Sequence, residues 1–435
     1  MRKIGVYVQV PFCQTRCTYC NFHTGVVPTS RFAPYVEAVC GEIRGHRELL
    51  RAAGVGWGSE AGEKAHSQEW LCHEALVDTV YIGGGTPSLL DPHHLQDILD
   101  AVRETFNGSG ESEDRGCRKS GVEPPHSMGR PASEGGPYNG NRKELVEVTL
   151  EADPETVELE KAAGWVAAGI NRASFGVQSF VDKELVAAGR MHRREDVYRA
   201  VPILQAAGIR NISFDLIAGL PHQTRESWRQ SLDELIAIGP EHVSVYLLEI
   251  DEGSRLGAEL LGGGKKYSAG AVPSEDEMAE FYELAQERLG AAGYHHYEIS
   301  NWAKPGFESK HNLKYWRREP YLGFGAGAHS FSGTERWANA HDAADYVSAV
   351  QGGRFPVEQH EVLTAESALE EELFLGLRQL DGIDVGRIER EYGASLVARF
   401  DPLALAGLVK RDGSIVRLAP EKLSVSNEVF VELMR

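Results

Sequence analysis

Three cysteines near the start of the chain are the residues whose type and spacing most directly indicate chemistry. Cys13, Cys17 and Cys20 lie within eight residues, in the segment CQTRCTYC. Thiolates are the usual ligands of four-iron clusters, which normally take four of them. Because only three lie together here, one iron would keep an open position for an external ligand, as catalytic zinc sites do. The segment therefore predicts an iron–sulfur cluster with one exchangeable site.

Two simpler explanations of these cysteines stay open. Spacings of four and three residues also place side chains on one face of a buried helix. Pro11 before the first cysteine, and the polar residues Arg16 and Asn21, favour instead a loop that leaves the end of a strand. A structural zinc ion is the second alternative, but His23, the nearest candidate for a fourth ligand, would be cramped.

The composition excludes several classes of protein. With 435 residues, of which 42% are hydrophobic, the chain is not globally disordered and has room for two to three domains. Its 45 basic and 64 acidic residues give a net charge of −19, so we expect no nucleic-acid partner. No apolar run approaches the roughly 18 residues of a spanning helix, and the start lacks the apolar region of a signal peptide. We therefore expect no integral membrane segment and a cytoplasmic location.

Short β-rich runs alternate with helical stretches along the first part of the chain. The predicted strands are residues 4–10, 79–82, 145–150, 172–177, 209–217 and 242–248. Such alternation predicts a parallel α/β sheet, and six strands are too few for a closed eightfold barrel. Asp153, followed by Pro154, and Thr224 are predicted to cap the helices after two of these strands.

Breaks in the pattern divide the chain into three parts. Residues 1–250 form the predicted barrel core, interrupted at 51–70 and 107–143 by stretches rich in Gly, Ser, Glu and Pro that we expect to be exposed, mobile insertions. Residues 251–360 are predicted to link and pack on the barrel. Residues 361–435 combine helices with a hairpin at Asp412-Gly413, like a winged-helix module. The acidic balance favours packing or docking over nucleic-acid binding for this module.

The three-cysteine pattern after a first strand resembles the radical S-adenosylmethionine (radical SAM) superfamily. The resemblance implies a partial (β/α)6 TIM-like barrel with its site at the carboxyl ends of the strands, which agrees with the six-strand count. It also implies that the open iron chelates the amino and carboxylate groups of S-adenosylmethionine. In active members, one electron from the cluster cleaves a carbon–sulfur bond to give a 5′-deoxyadenosyl radical.

Four further segments resemble the oxygen-independent coproporphyrinogen III oxidase-like branch: YIGGGTPS at 81–88, GVQSF at 176–180, DLIAGLP at 215–221 and YEISN at 297–301. Carried over by position, the residues that match contacts to the cluster-bound S-adenosylmethionine are Tyr7, Gly84 and Glu151. The positions that border a second such molecule in the oxidase correspond to Tyr19, Gly85, Thr86, Gln178, Arg190 and Asp215.

Two departures separate the chain from the oxidase. Phe22 stands where the oxidase has another, non-ligand cysteine, and Cys13 leaves no room for the oxidase's N-terminal extension. Both match the sister group, the heme chaperones called HemW, which bind heme and pass it to acceptor proteins. This resemblance implies a [4Fe-4S] cluster, S-adenosylmethionine and heme as ligands, with heme-acceptor proteins as partners and a homodimer as one option. It favours a protein that transfers heme without catalysing a reaction. The alternatives are the oxidase, which decarboxylates two propionate side chains of coproporphyrinogen III, and an unrelated radical enzyme.

The segment HNLKYW at 311–316 resembles the HNxxYW signature of the chaperone group. His311 could ligate heme iron while Tyr315 and Trp316 stack on the porphyrin. An equal alternative is that these residues pin a loop to the barrel. His329, in GAGAHS at 325–330, is a second heme candidate, expected near the same site.

Overall fold

The computed structural model describes residues 3–53, 76–107 and 145–434. Apart from residues 51–53 and 107, the predicted insertions lie outside the described residues. The strands, in chain order from β1 to β15, are Lys3–Val10, Leu76–Gly84, Glu147–Ala152, Arg172–Gln178, Asn211–Ala218, His242–Leu247, His295–Glu298, Asn301–Ala303, Tyr321–Phe324, His329–Phe331, Glu335–Asn339, Val357–Val362, Ile383–Asp384, Val409–Asp412 and Ile415–Leu418.

The helices of the described residues are numbered in the same way. From α1 to α14 they are Phe32–Ala53, Pro92–Val102, Leu159–Ala168, Asp182–Ala187, Arg194–Ala207, Arg225–Ile238, Arg255–Gly262, Glu275–Ala291, Lys310–Trp316, Ala343–Gln351, Ala365–Gly376, Val385–Tyr392, Val397–Leu405 and Ser426–Leu433.

The six predicted strands form the centre of the sheet. β1 to β6 lie side by side in chain order, and every neighbouring pair is parallel. Their outward residues, such as Val6 and Val8, are completely buried beneath the surrounding helices, which explains their apolar, β-branched character. Helix α6 buries Trp228, Leu232 and Leu235 on the face that meets this layer. The predicted partial barrel of α/β type is confirmed.

The segment between the barrel and the C-terminal module widens the sheet on both sides. β9 pairs in parallel with β1, and β10 to β12 continue from it as antiparallel strands. On the other side β8 pairs antiparallel with β6, and β7 follows. Within the described residues this gives one sheet of twelve strands, so residues 251–360 are part of the sheet.

The two predicted helix caps have different outcomes. Thr224 caps α6 as predicted, because its hydroxyl accepts a hydrogen bond from the backbone N–H of Ser227 at 3.2 Å. The prediction for Asp153 is wrong: a short 3₁₀ turn, Pro154–Thr156, follows it, and its side chain makes no capping hydrogen bond. That carboxylate accepts hydrogen bonds from Thr86 and Arg190 instead.

The C-terminal module is a small three-stranded sheet with helices around it. The strand order is β13-β15-β14, and the predicted hairpin between β14 and β15 turns at Gly413, which has φ of +60°. Arg318, next to α9, binds Glu371 of α11 at 3.0 Å and so connects the module to the extended sheet. Among the described residues, no helix is both long and apolar enough to cross a bilayer.

Candidate functional site

The cysteine segment is a closed loop at the carboxyl end of β1. The backbone N–H of Cys13 donates to the carbonyl of Gly25 at 3.0 Å, and that of Gly25 donates to Pro11 at 2.8 Å. No helix runs through residues 13–20, so the buried-helix explanation of the spacing is wrong. Cys13, Cys17 and Cys20 are partly exposed, free of disulfides, and line one cavity of about 510 Å³.

The thiols fit a cluster better than a single ion. Nowhere in the described ranges do three His, Cys, Asp or Glu side chains converge on the position of one metal ion, so the zinc alternative finds no support. A four-iron cluster takes each thiolate on a different iron and therefore needs ligands that are spread apart. Three thiols around one cavity meet that requirement.

The cavity collects nearly all the predicted S-adenosylmethionine contacts. Its lining includes Tyr19, Gly84, Gly85, Thr86, Glu151, Gln178, Arg190 and Asp215. These residues come from the ends of five parallel strands and the loops that follow them, where the carboxyl edge of a barrel brings distant segments together. Tyr7 is absent from the lining: its hydroxyl donates to Gln9 at 2.6 Å, and its ring stacks on that of Tyr81 with centroids 6.0 Å apart.

The glycines after β2 let the cysteine loop approach closely. A Cβ atom on Gly85 would lie 2.5 Å from the carbonyl oxygen of Phe12 and 3.0 Å from the Sγ of Cys13. Gly84 has φ of +113°, and a Cβ there would lie 2.5 Å from the Gln9 side chain. Both positions therefore require glycine, and the backbone N–H of Gly85 donates to the carbonyl of Val10 at 2.8 Å, which holds this turn against the end of β1.

Two hydrogen bonds fix the carboxylate of Glu151 in position at the end of β3. One carboxylate oxygen accepts from the Tyr81 hydroxyl and the other from the backbone N–H of Gly84, both at 2.9 Å. Burial raises the pKa of this carboxyl to about 7, against the effect of these two hydrogen bonds. Burial also raises the pKa of Asp215, which accepts a hydrogen bond from Ser174 at 3.2 Å.

Arg190 and Gln178 supply polar atoms that point to a ligand. The Arg190 guanidinium donates to the Sγ of Cys17 at 3.5 Å and to the carbonyl of Gly176 at 2.8 Å. Its Nε atom and the Oε1 atom of Gln178 are buried without a hydrogen-bond partner. Because buried polar atoms are rarely left unpaired, this cavity fits a polar molecule beside the cluster.

Comparison with known proteins decides the family. Residues 7–235 match the model described as the radical SAM superfamily, and residues 363–421 match the HemN C-terminal domain. The heme chaperone HemW of Bacillus subtilis is 32% identical over 430 residues, which cover 98% of both chains. The chain belongs to the HemW family of the radical SAM superfamily.

Two other relatives agree with this assignment. The heme chaperone HemW of Synechocystis is 33% identical over 87% of this chain and 79% of its own length. The structure of the Escherichia coli coproporphyrinogen III oxidase HemN has the same fold, with a TM-score of 0.74 over 99% of this chain and 90% of that one, at 21% identity.

In this HemW family member, the C-terminal module completes the cavity. Arg378, Leu423, Ser426 and Asn427 line it together with Tyr246 of β6. None of these five residues was predicted from the sequence. No local signal marks the four residues of the module, because they enter the site only through its packing against the barrel. Tyr246 enters from β6, whose sequence predicts a strand but does not mark a site residue.

The structure places His311 at the opposite end of the barrel from the cysteines. Its Nδ1 lies 3.0 Å from the Thr79 hydroxyl, and its Nε2 lies 2.9 Å from the Tyr315 hydroxyl. Its backbone N–H donates to the Glu147 carboxylate at 3.0 Å, and only 1% of the residue is exposed. With both ring nitrogens engaged, this geometry favours the structural alternative, in which α9 closes the base of the barrel.

The remaining heme candidates lie in two further places. Trp316 is covered by the Arg378 guanidinium, whose carbon is 4.4 Å from the ring centroid, so it belongs to the contact with the C-terminal module. His329 is exposed at the start of β10, close to His341 and His23 beside the cysteine loop. His311 and His329 are therefore at opposite ends of the sheet, and the expectation that they share one site is wrong.

Proposed function

We propose that this protein is a heme chaperone that binds heme and passes it to acceptor proteins, and that it carries a [4Fe-4S] cluster with exchangeable S-adenosylmethionine. The observation that carries the proposal is the match along 98% of both chains to the Bacillus subtilis heme chaperone. The cavity supports it, because three thiols, a carboxylate and unpaired polar atoms meet there.

The proposed roles follow from the contacts of each side chain. Cys13, Cys17 and Cys20 hold the cluster, which when present supplies an open iron and one-electron chemistry. Glu151 accepts hydrogen bonds from the ribose of S-adenosylmethionine, since its carboxylate is already fixed by Gly84. The polar groups of Gln178, Arg190 and Asp215 border the same ligand, and the C-terminal module limits the entry of water.

Coproporphyrinogen III oxidase is the alternative function, and one residue argues against it. Phe22 occupies the position at which the oxidase carries an additional cysteine, and 63% of its surface is exposed at the rim of the cavity. The similarity to the oxidase structure, at 21% identity, shows only that the fold is shared.

We further propose a cytoplasmic location, which suits reduced cysteines. The homodimer stays a prediction.

Anaerobic reconstitution with iron and sulfide, followed by two assays on one preparation, tests the proposal. We expect stoichiometric uptake of added heme, seen in its Soret band, and no conversion of coproporphyrinogen III in the presence of S-adenosylmethionine and a reductant. Release of 5′-deoxyadenosine is measured in the same reaction. Formation of protoporphyrinogen, or rescue of an oxidase-deficient strain, would overturn the chaperone in favour of the oxidase.

A further inference from the structure

A second cavity, which we call the basic cleft, adjoins the cluster site at the cysteine loop, and Thr15 and Arg16 line both cavities. Its volume is about 570 Å³, within the range of small-molecule sites. Thr15, Arg16 and Thr18 of the loop form one wall, and residues of α4, of the turn after β5 and of the segment after α7 form the others. No function described above uses this cleft.

The charge of the cleft is opposite to that of the whole protein. Its lining carries the four cations Arg16, Lys183, Arg255 and Lys266. None of them forms an ion pair with an acidic side chain in the parts of the chain that the structure describes. Asp182, the acidic residue of the lining, accepts a hydrogen bond from the backbone N–H of Arg194 at 2.9 Å. On a chain of net charge −19, an unneutralised group of cations in a concave surface points to an anionic ligand.

The walls of the cleft are fixed to one another by hydrogen bonds. The backbone N–H of Thr18 donates to Ala188 at 3.0 Å, and its carbonyl accepts from Leu256 at 2.8 Å. The segment after α7 is held by the Glu259 carboxylate, which accepts from the backbone N–H groups of Lys266 at 2.8 Å and Tyr267 at 2.7 Å. The cations are therefore mounted on a preformed surface.

The lining also offers a histidine and apolar contacts. His222 has φ of +70°, and its backbone N–H donates to Ala271 at 2.7 Å, which fixes the turn that presents it. Its ring makes no hydrogen bond with the described residues, unlike the ring of His311. Val186, 57% exposed, supplies apolar surface, and so does the half-buried ring of Tyr267, which has the Lys266 ammonium over one face at 5.1 Å from its centroid.

The cations, the histidine and the apolar surface of the cleft together suit a planar ligand that has two carboxylates and a metal ion able to bind imidazole. We propose that the basic cleft binds heme, with the propionates on the cations, His222 on the iron, and Tyr267 and Val186 against the macrocycle. This inference rests on the proposed heme-chaperone function and gives it a location. The cavity of the cysteines is taken up by the cluster and S-adenosylmethionine, and α9 closes the base of the barrel, so the cargo needs a separate surface. An open cleft also suits a ligand that must be handed on.

The test is a titration of the reconstituted protein with ferric heme and, separately, with heme dimethyl ester, which lacks free carboxylates. The variants are His222→Ala and the double substitution Lys183→Glu with Arg255→Glu, all at partly or fully exposed positions. His295→Ala and Arg229→Glu are controls at exposed positions outside the cleft. Retention of the cluster absorbance shows that each variant has folded.

We expect His222→Ala to change the Soret band and weaken heme binding at least tenfold. The charge reversal should weaken heme binding at least tenfold and leave ester binding unchanged, while both controls match the wild type. Wild-type heme binding in both cleft variants, or loss of the heme spectrum only in His311→Ala or His329→Ala, would overturn the cleft and leave the chaperone function intact. Failure of the wild type to bind heme would overturn both.

Discussion

The guanidinium of Arg190 lies between Cys17 and Asp153, donating a hydrogen bond to the cysteine Sγ at 3.5 Å and forming an ion pair with the carboxylate. Arg190 follows β4 and Asp153 follows β3, so the contact joins the cysteine loop to two strands of the barrel. The side chain of Arg190 is only 10% exposed. The ion pair therefore organises the cavity before any ligand is present.

Removing this guanidinium should destabilise the protein even without its cofactors. We expect Arg190→Met to lower the free energy of unfolding by about 2 kcal/mol, because the Asp153 carboxylate, 22% exposed, would lose its cationic partner and keep the hydrogen bond from Thr86. Urea denaturation of the cluster-free protein measures the change. Arg199→Met is the control, since the Arg199 side chain is 52% exposed and its ion pair with Asp196 is worth about 1 kcal/mol or less. Equal losses in the two variants would contradict the role of Arg190.

The carboxylate of Glu151 should matter for ligand binding and not for the cluster. Glu151→Gln exchanges an acceptor oxygen for a donor, so we expect about tenfold weaker binding of S-adenosylmethionine, the scale of one charge-assisted hydrogen bond. Equilibrium dialysis of the reconstituted protein with labelled ligand measures the affinity. The exposed Glu160→Gln should bind like the wild type. A parallel loss of iron from Glu151→Gln would instead assign Glu151 to the cluster.

Because His311 is buried, we expect the stability of the protein to depend on pH. Burial, assisted by the charges of Lys314 and Arg172, lowers the pKa of this histidine to about 3. In the unfolded chain its pKa is about 6.5, so acid protonates the unfolded state first and stability falls as the pH drops below 6.5. Between pH 7 and 5 the loss from this residue is about 2 kcal/mol.

His311→Gln should therefore lose about 2 kcal/mol less stability than the wild type between pH 7 and 5. The free energy of unfolding, measured in urea at both pH values, tests this difference. His295→Gln, at an exposed position of β7, should follow the wild type. The same acid dependence in all three proteins would mean that His311 is accessible to protons in the folded state.

A buried carboxylate, Glu42 of α1, joins the helix to the edge of the widened sheet. It accepts hydrogen bonds from Tyr346 at 2.6 Å, Asn339 at 2.8 Å and the backbone of Gly325 at 3.0 Å. Since three donors face it, Glu42→Gln would bring an amide N–H against a donor and should cost about 2 kcal/mol of stability. Thermal unfolding of Glu42→Gln beside the exposed Glu37→Gln measures the effect; indistinguishable melting temperatures would show that the network is dispensable.

Much of the barrel could be predicted because each strand carries its own signal. Both faces of a central parallel strand are covered, so each strand is a short apolar run ending in polar or glycine residues, and its boundaries follow from the sequence within about three residues. The site residues follow the same logic, since the carboxyl ends of neighbouring strands meet at one edge. This is why the cysteines, Glu151 and Asp215 line one cavity.

What the sequence did not show depends on contacts between distant segments. The short strands from β7 to β11 have three to five residues each, too few to carry a clear alternation. The wall that Leu423 and Asn427 add to the cavity exists only because the C-terminal module packs there. Similarly, the segment HNLKYW alone does not show whether His311 is a heme ligand or a buried structural residue. The hydrogen-bond partners that decide this come from β2 and from within α9.

The iron and sulfide content of cysteine variants decides whether Cys13, Cys17 and Cys20 hold an iron–sulfur cluster. After anaerobic reconstitution, the wild type should hold about four irons and four sulfides per chain with the brown absorbance of a cluster. Cys40→Ala is the control, because Cys40 is buried in α1, 5% exposed, away from the cavity lining. We expect Cys17→Ser to lose most of this iron and sulfide while Cys40→Ala keeps it. Wild-type iron and sulfide in Cys17→Ser, or none in the wild type, would contradict it.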